Sequence, residues 1–167
     1  LLFGCTATDF RSDSIPIWPV LGGRLYDIKE KDLIASTQII RPSYYVVQTP
    51  YTIGYNDDMA LSDIYSLLLN IEDRNRDICH LVSGLYREGR TILVLTNRIH
   101  HAGILSQILD EYEVPNEIIF GNVKAADRSK IIDNVRNKRT RCLIGSTVAD
   151  EGLDIPALDT IVMTSPY

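Results

Sequence analysis

Short apolar runs alternate with helical patterns from residue 44 to the end of the chain, and this alternation limits the possible folds more than any other feature. The run at residues 91–95 is β-branched or apolar at every position, as in a strand that is covered on both faces. Apolar residues at helical spacing follow at residues 98–112 and again at residues 124–137. Strands and helices in turn build right-handed βαβ units. The sequence therefore predicts an α/β fold, a parallel sheet flanked by helices.

The remaining elements follow from the same patterns. Further strands are expected at residues 44–49, 117–120, 142–144 and 160–163. A helix is expected to begin near Asp57 or Asp58, either of which could cap it, and a second helix to stop at Gly89. The side chains of this second helix that are expected to face inward are Ile78, Leu81, Val82 and Leu85. Prolines and glycines at residues 14–43 predict a connecting segment, with a short helix within residues 27–36.

Composition places the chain among ordinary globular proteins. Its 167 residues are 45% hydrophobic and 23% charged, which suits one domain with a proper core or one domain plus parts of another. A net charge of −5 counts against a stand-alone DNA-binding module, because such modules are usually basic. No apolar run reaches membrane-spanning length and no signal peptide is visible. Because Cys5, Cys79 and Cys142 show no paired spacing, we expect buried thiols in a reducing, cytoplasmic compartment.

Polar residues follow the predicted strands at their carboxyl ends, the edge where open α/β sheets bind ligands. They are Thr96, Asn97 and Arg98, then Gly121 and Asn122, then Gly145, Ser146 and Thr147, then Thr164 and Ser165. These groups can hydrogen-bond phosphates and none is a strong nucleophile, so the edge suits a polyanionic backbone better than bond chemistry. The same residue types also form caps and turns, which is the better interpretation for any one position. Four strand ends together favour a binding site.

The stretch at residues 142–156 is the clearest candidate for an anion site. Its short apolar strand passes through a glycine and two hydroxyl residues, at 145–147, into the start of a helix. Free N–H groups and the helix dipole favour a phosphate at such a position. Asp154, between a glycine and a proline, suits either a sugar hydroxyl or a cap.

Several catalytic motifs are missing from the sequence. It has no G-x-x-x-x-G-K-[ST] phosphate loop and no Asp-Glu-rich strand end for magnesium, so it cannot hydrolyse a nucleoside triphosphate by that chemistry unaided. No Ser-His-Asp or Cys-His set has a suggestive placement. Adjacent helical residues point about 100° apart, so His100 and His101 do not form a two-ligand face.

The ordered motifs resemble those of superfamily-two helicases. Residues 145–156 resemble motif V, and residues 5–13 resemble motif III and its sequel. Residues 91–98 resemble motif IV, and Gly121 followed by Arg128 resembles motif IVa. The set covers nearly the whole chain. The long segment after motif III looks like the branch that contains restriction-type translocases, excision-repair helicases and phage recombination helicases.

The resemblance implies a second RecA-like motor domain, a P-loop NTPase-type fold without its own phosphate loop. Thr6, Ala7 and Thr8 would couple an ATP site to nucleic acid. The residues implied at the nucleic-acid backbone are Thr96, Asn97, Arg98, Gly121, Arg128, Ser146 and Thr147. Gly152 and Asp154 would bind ATP, with Asp154 at the ribose. ATP and Mg²⁺ would be held mainly by a first motor domain.

The resemblance also implies domain boundaries and partners. Residues 1–20 would end the first motor domain, residues 21–43 would be a linker, and residues 44–167 would form the second domain up to a point before motif VI. The abrupt apolar start of the chain suggests a piece of a longer parent. The implied partners are nucleic acid, with DNA preferred over RNA, and the first motor domain, with no membrane.

Alternatives stay open for the roles of two residues and for the function of the whole protein. Arg128 could form an ion pair with Asp127 or Glu117, and Asp154 could cap the turn before Pro156. The leading hypothesis is part of an ATP-dependent DNA helicase or translocase that is inactive as this chain alone. The alternative is a non-catalytic nucleic-acid-binding or regulatory module with the same fold, which the net charge of −5 and the missing motifs favour.

Overall fold

The computed structural model describes residues 22, 26–36, 40–54, 56, 58–146 and 155–165. The chain divides into two compact units, residues 1–47 and 48–167. In the first unit, helix α1 (Glu30–Ala35) confirms the short helix predicted within residues 27–36. The apolar start of the chain lies outside the described residues, and the predicted domain boundaries stay predictions.

The second unit alternates helices and strands, as the sequence predicted. Its described helices are α2 (Leu61–Leu69), α3 (Glu72–Arg87), α4 (Ile99–Glu111) and α5 (Ala125–Arg136). Its described strands are β1 (Ile92–Leu95), β2 (Asn116–Ile119), β3 (Cys142–Gly145) and β4 (Thr160–Met163). The strands pair in parallel in the order β2-β3-β1-β4, which confirms the predicted fold class. Among these described helices, none has the length and apolarity needed to cross a membrane.

Different helices cover the two faces of the sheet because the chain reverses its direction of winding. It passes from β1 across β3 to β2 and then returns from β2 to β3. Right-handed crossovers in opposite directions put their helices on opposite faces. Ile92 and Val94 accordingly pack with α3 and α4, whereas Leu93 and Leu95 pack with α5. Strand β1 is therefore buried on both faces, which explains its continuously apolar sequence.

The strand predicted at residues 44–49 is wrong. This segment has no regular structure, and the exposed fractions of its first four side chains, from Tyr44 to Val47, lie between 64% and 91%. Aromatic and β-branched residues favour a strand only where a neighbouring strand and a core receive them. No described strand pairs with this segment, so its β propensity has no partner to act on.

Helix α2 differs from the prediction at its start. It begins after Ala60, whose side chain makes no capping hydrogen bond. The predicted cap by Asp58 is therefore wrong, and Asp57 lies outside the described residues. The helix depends on packing of its inner face, at Leu69, more than on a cap.

Helix α3 confirms most of its predicted inner face. Val82 is fully buried, and Ile78 and Leu85 pack partly against the core, but Leu81 is 40% exposed and was wrongly placed inside. Gly89 ends the helix as predicted, because the chain there needs a φ of +90° that other residues adopt at a cost.

Helices α4 and α5 confirm the helices that apolar spacing predicted at residues 98–112 and 124–137. Four of the apolar residues of α4 are buried, namely Ala102, Leu105, Ile108 and Leu109. In α5, Val135 is buried and Ile131 and Ile132 pack partly against the core on the other face of the sheet.

Candidate nucleic-acid interface

The carboxyl ends of β1 and β3 lie where open α/β sheets have their ligand-binding crevice. From β1 the chain leaves across the face that carries α4, toward β2. The connection that reaches β4 after β3 packs on the opposite face, through Ile155. Neighbouring strands whose connections leave in opposite directions form a topological switch point, the usual ligand position in such folds. Thr96 and Ser146 directly follow these two strands.

Hydrogen bonds beyond the strand ends hold this edge together. The Thr96 N–H donates to the Gly145 carbonyl at 2.9 Å. Thr164 donates to the Leu95 carbonyl through both its N–H, at 3.1 Å, and its hydroxyl, at 2.8 Å. The loops that follow β1, β3 and β4 therefore start side by side, and the polar residues after these strands gather on one edge, as the sequence predicted.

Among the predicted nucleic-acid contacts that the structure describes, Thr96 differs from its expected role. Its side chain is 0% exposed, and its Oγ1 lies 2.8 Å from Nδ1 of His101. Nε2 of the same ring lies 3.0 Å from Oδ1 of Asn75, whose Nδ2 donates to the Leu69 carbonyl at 2.8 Å. A hydroxyl that is buried and bonded in this way does not meet a phosphate at the surface.

The His101 ring is held in its neutral form. Burial, followed by the nearby positive charges of Arg74 and His100, lowers the pKa of His101 from 6.5 to about 4. The two ring nitrogens therefore act as one donor and one acceptor at physiological pH.

We expect this neutral His101 ring to make stability depend on pH. In the unfolded chain His101 is protonated as the pH falls through about 6.5, whereas in the folded chain it is protonated only as the pH falls through about 4. The stabilisation is thus complete above about pH 6.5 and is lost as the pH falls toward about 4, up to about 3 kcal/mol in total. Urea unfolding over this pH range measures it, and His101→Phe should remove this part of the pH dependence. An equal pH dependence in that variant would contradict the expectation.

Asn97 and Arg98, both predicted to contact a nucleic-acid backbone, are exposed at the start of α4. A groove of about 380 Å³ lies beside Arg98, between α2 and the first turn of α4. Its lining residues are Ser62, Asp63, Ser66, Leu69, Asn70, Arg98, His100 and His101. The Arg98 guanidinium can bind a phosphate with two parallel N–H donors, whereas the Asp63 carboxylate in the same groove repels an anion.

Arg128 is half-buried on α5 and does not form the ion pair that the sequence left open. Glu117 instead accepts hydrogen bonds from Asn134 Nδ2 and Thr140 Oγ1, both at 2.9 Å. The ion pairs found among the described residues do not join Arg128 to Asp127 either. Its guanidinium is therefore not neutralised by either of the carboxylates considered.

The other predicted site residues fall into two groups. Ser146 follows β3 with a 7% exposed side chain, and Gly121 is exposed in the turn after β2. The residues that lie outside the described ranges are Thr6, Ala7, Thr8, Thr147, Gly152 and Asp154. The predicted roles of the second group stay predictions.

Comparison with known proteins gives the family. A family profile described as "Helicase conserved C-terminal domain" matches residues 73–167, more than half of the chain. The chain belongs to this helicase family. The helicase domain also matches the solved structure of Saccharomyces cerevisiae Dbp5 bound to RNA and ADP BeF3, with a TM-score of 0.51 and 23% identity over 57% of this chain and 24% of that one. The shared fold confirms the RecA-like architecture, and the family profile confirms the predicted resemblance to helicases.

Two relatives align with nearly all of this helicase chain. One is helicase 22 of Sulfolobus islandicus filamentous virus, a provisional description, with 26% identity over 96% of this chain and 31% of its own length. The other is ATP-dependent RNA helicase DBP8 of Saccharomyces cerevisiae, with 26% identity over 97% of this chain and 33% of its own length. The chain thus spans about a third of the length of these relatives.

Arg74 is a buried cation of the helicase domain that sequence reasoning missed. It is 9% exposed, and its Nη2 donates to the Thr164 carbonyl beyond the end of β4. Its Nη1 is buried without a hydrogen-bond partner in the part of the chain that the structure describes, and burial lowers its pKa. The signal was its spacing, because Arg74 falls on one helical stripe with Ile78 and Val82.

The two described cysteines of the helicase domain are buried free thiols, as the sequence predicted. Burial is the main cause that raises the pKa of Cys79 and that of Cys142, each to about 12. Thiols that stay protonated are poor nucleophiles and poor metal ligands. These two residues therefore act as small core side chains.

Proposed function

We propose that this helicase domain is the second motor domain of an ATP-dependent helicase or translocase. In this proposal the sheet edge at the ends of β1 and β3 binds the backbone of one nucleic-acid strand. The proposed contacts are Asn97, Arg98, Gly121, Arg128, Ser146 and Thr147. The observation that carries the proposal is the switch point in the strand order at β1 and β3, with Ser146 after β3 and the exposed Arg98 shortly after β1.

The chemistry of the proposed contacts suits phosphates rather than bases. Hydroxyl, amide and guanidinium donors bind phosphate oxygens without reading sequence, and such contacts fix the register of a bound strand. Because the chain carries a net charge of −5, its grip on a polyanion has to come from local groups such as Arg98 and Arg128. The proposed binding is therefore local to this edge of the sheet.

ATP and Mg²⁺ enter the proposal through the family. The proposed ATP contacts are Gly152 and Asp154, and the proposed coupling residues are Thr6, Ala7 and Thr8. Within the described ranges, no group of three His, Cys, Asp or Glu residues could hold a metal ion, and the sequence lacks a phosphate loop. We therefore assign most of the binding of ATP and Mg²⁺ to a first motor domain.

The type of nucleic acid is the finer part of the proposal. The resemblance to restriction-type and excision-repair enzymes favours DNA. The relative DBP8 is described as an RNA helicase, and the structure of Dbp5 was solved with RNA. We propose DNA as the preferred strand, and the experiment compares both.

Phosphate release from ATP by the protein encoded in the complete reading frame tests the proposal. We expect turnover to rise when single-stranded DNA is added, and to rise less with RNA of the same sequence. Arg98→Ala should increase the DNA concentration for half-maximal stimulation by about tenfold, because a charged hydrogen bond to phosphate contributes about 1.5–3 kcal/mol. It should also lower the slope of log affinity against log salt by about one.

Arg90→Ala is the matched control, since Arg90 is exposed just before β1 and Arg98 is exposed just after it. We expect this control to behave like the unaltered protein. Equal effects of Arg98→Ala and Arg90→Ala would show that DNA does not bind at the crevice. Salt-sensitive binding of DNA without any turnover of ATP would instead favour the non-catalytic module, which the net charge of −5 and the missing phosphate loop motivate.

A further inference from the structure

We propose that His101 and Asn75 are positioning residues for the nucleic-acid contact. A buried chain of hydrogen bonds runs from the corner between α2 and α3, through α4, to the loop after β1. It holds this loop in the conformation that presents Arg98 at the surface. The inference rests on the proposed function, because it assigns Arg98 to the nucleic-acid backbone.

The direction of every bond in this chain follows from its fixed end. The Leu69 carbonyl can only accept, so Nδ2 of Asn75 must point at it and Oδ1 must point at His101. An Oδ1 atom can only accept, so Nε2 of the neutral ring carries the proton and Nδ1 does not. The Thr96 hydroxyl therefore donates to Nδ1.

The last step of the chain reaches Arg98. Because the Thr96 hydroxyl uses its proton on Nδ1, its oxygen can only accept from the backbone. The Arg98 nitrogen lies 3.5 Å from Oγ1, which is long for a hydrogen bond. The Thr96 N–H is held separately by the Gly145 carbonyl at 2.9 Å. Thr96 is thus held by two elements: α4 binds its side chain through His101, and β3 binds its main chain through Gly145.

The buried polar groups are better explained by positioning than by packing alone. His101 lies on the inner stripe of α4 with Leu105 and Ile108, where an aliphatic side chain would fill the space without burying polar atoms. Burying a threonine, a histidine and an asparagine is tolerable only if every polar atom is satisfied. These three residues satisfy one another, and the geometry they fix is that of an exposed loop beside the groove.

The test measures binding of a fluorescein-labelled single-stranded oligonucleotide by the protein from the complete reading frame. Thr96→Val removes the hydroxyl with little change of shape, and Thr96→Ser keeps it. His101→Phe keeps a ring of similar size and removes both of its hydrogen bonds. Ser106→Ala is the control, because it removes a 2.7 Å hydrogen bond from the same helix, to Asn116, in the half of α4 that is farther from Arg98.

We expect Thr96→Val and His101→Phe to raise the Kd by about tenfold, while Thr96→Ser and Ser106→Ala stay within about twofold. Melting curves select a temperature at which each variant is folded, and the Thr96 pair decides the result if His101→Phe does not fold. A Kd unchanged in folded Thr96→Val would overturn the inference.

A double-mutant cycle separates positioning from general damage. If His101 acts through Arg98, His101→Phe should add little to the loss caused by Arg98→Ala, with a combined Kd within about twofold of that of Arg98→Ala. Multiplied losses would show that His101 acts independently of Arg98 and would overturn the inference.

A ligand-free measurement distinguishes failure of this inference from failure of the proposed function. Thr96→Val should speed hydrogen exchange at the Arg98 amide, whereas Ser106→Ala should not. Suppose that Thr96→Val speeds this exchange but the protein binds no oligonucleotide. This result would contradict the proposed function and still support the claim that the hydrogen bonds hold the loop after β1. Unchanged exchange with a tenfold weaker Kd would overturn the role of the chain of bonds.

Discussion

Leu143→Ala should lower the free energy of unfolding by about 3 kcal/mol, because a buried Leu→Ala change costs about 2–5 kcal/mol in lost burial and a residual cavity. Leu143 is fully buried in the middle of β3, between Leu93 of β1 and Glu117 of β2. It packs with Ile119 and Val135 on the face covered by α5. Urea unfolding followed by circular dichroism measures the change.

Leu81→Ala is the control for this prediction. Leu81 is 40% exposed on the outer side of α3, so the same deletion should cost less than about 1 kcal/mol. Equal losses in the two variants would mean that the sheet does not have its core at β3. A change in the urea slope with Leu143→Ala would point instead to an altered denatured state.

Ser146→Ala together with Thr147→Ala should lower nucleic-acid-stimulated ATP turnover by about tenfold or more with little change in melting temperature. The expected loss reflects hydrogen bonds to a charged phosphate, which contribute about 1.5–3 kcal/mol each. Ser146 follows β3 at the switch-point crevice, and Thr147 is included from the sequence motif. Phosphate release at saturating ATP, with and without oligonucleotide, gives the measurement.

Thr140→Ala is the matched control at the opposite end of β3. Thr140 donates to Glu117 Oε1 at 2.9 Å, far along the strand from the crevice. Its removal should alter stability slightly and leave the stimulated turnover intact. A double variant at residues 146 and 147 with unaltered stimulation would take this strand end out of the proposed site.

The sheet could be predicted because buried parallel strands have a local signature. The run at β1 is apolar at consecutive positions, and the helices between strands keep their apolar residues at helical spacing. Residues 44–49 carry an equally strong local preference for a strand and form none. Whether a β-prone segment pairs depends on a neighbouring strand, which its own residues do not specify.

The candidate site was only partly visible in the sequence for a similar reason. The order of strand ends identified Arg98 and Ser146, because the carboxyl edge of a parallel sheet is set by topology. Burial of Thr96 depends on Asn75 and His101, which are 26 residues apart and meet only in the folded chain. The position of His101 on the stripe of Leu105 was the available sign.

The cross-strand bonds beyond β1 have a mechanical consequence. Leu95 accepts two bonds from Thr164 on one side, and Thr96 donates to Gly145 on the other. Parting β1 from β3 at the crevice would break the bond from Thr96 to Gly145, while the two bonds from Thr164 would keep β4 beside β1. In the proposed motor, the loops after β1, β3 and β4 would therefore move together against a bound nucleic-acid strand.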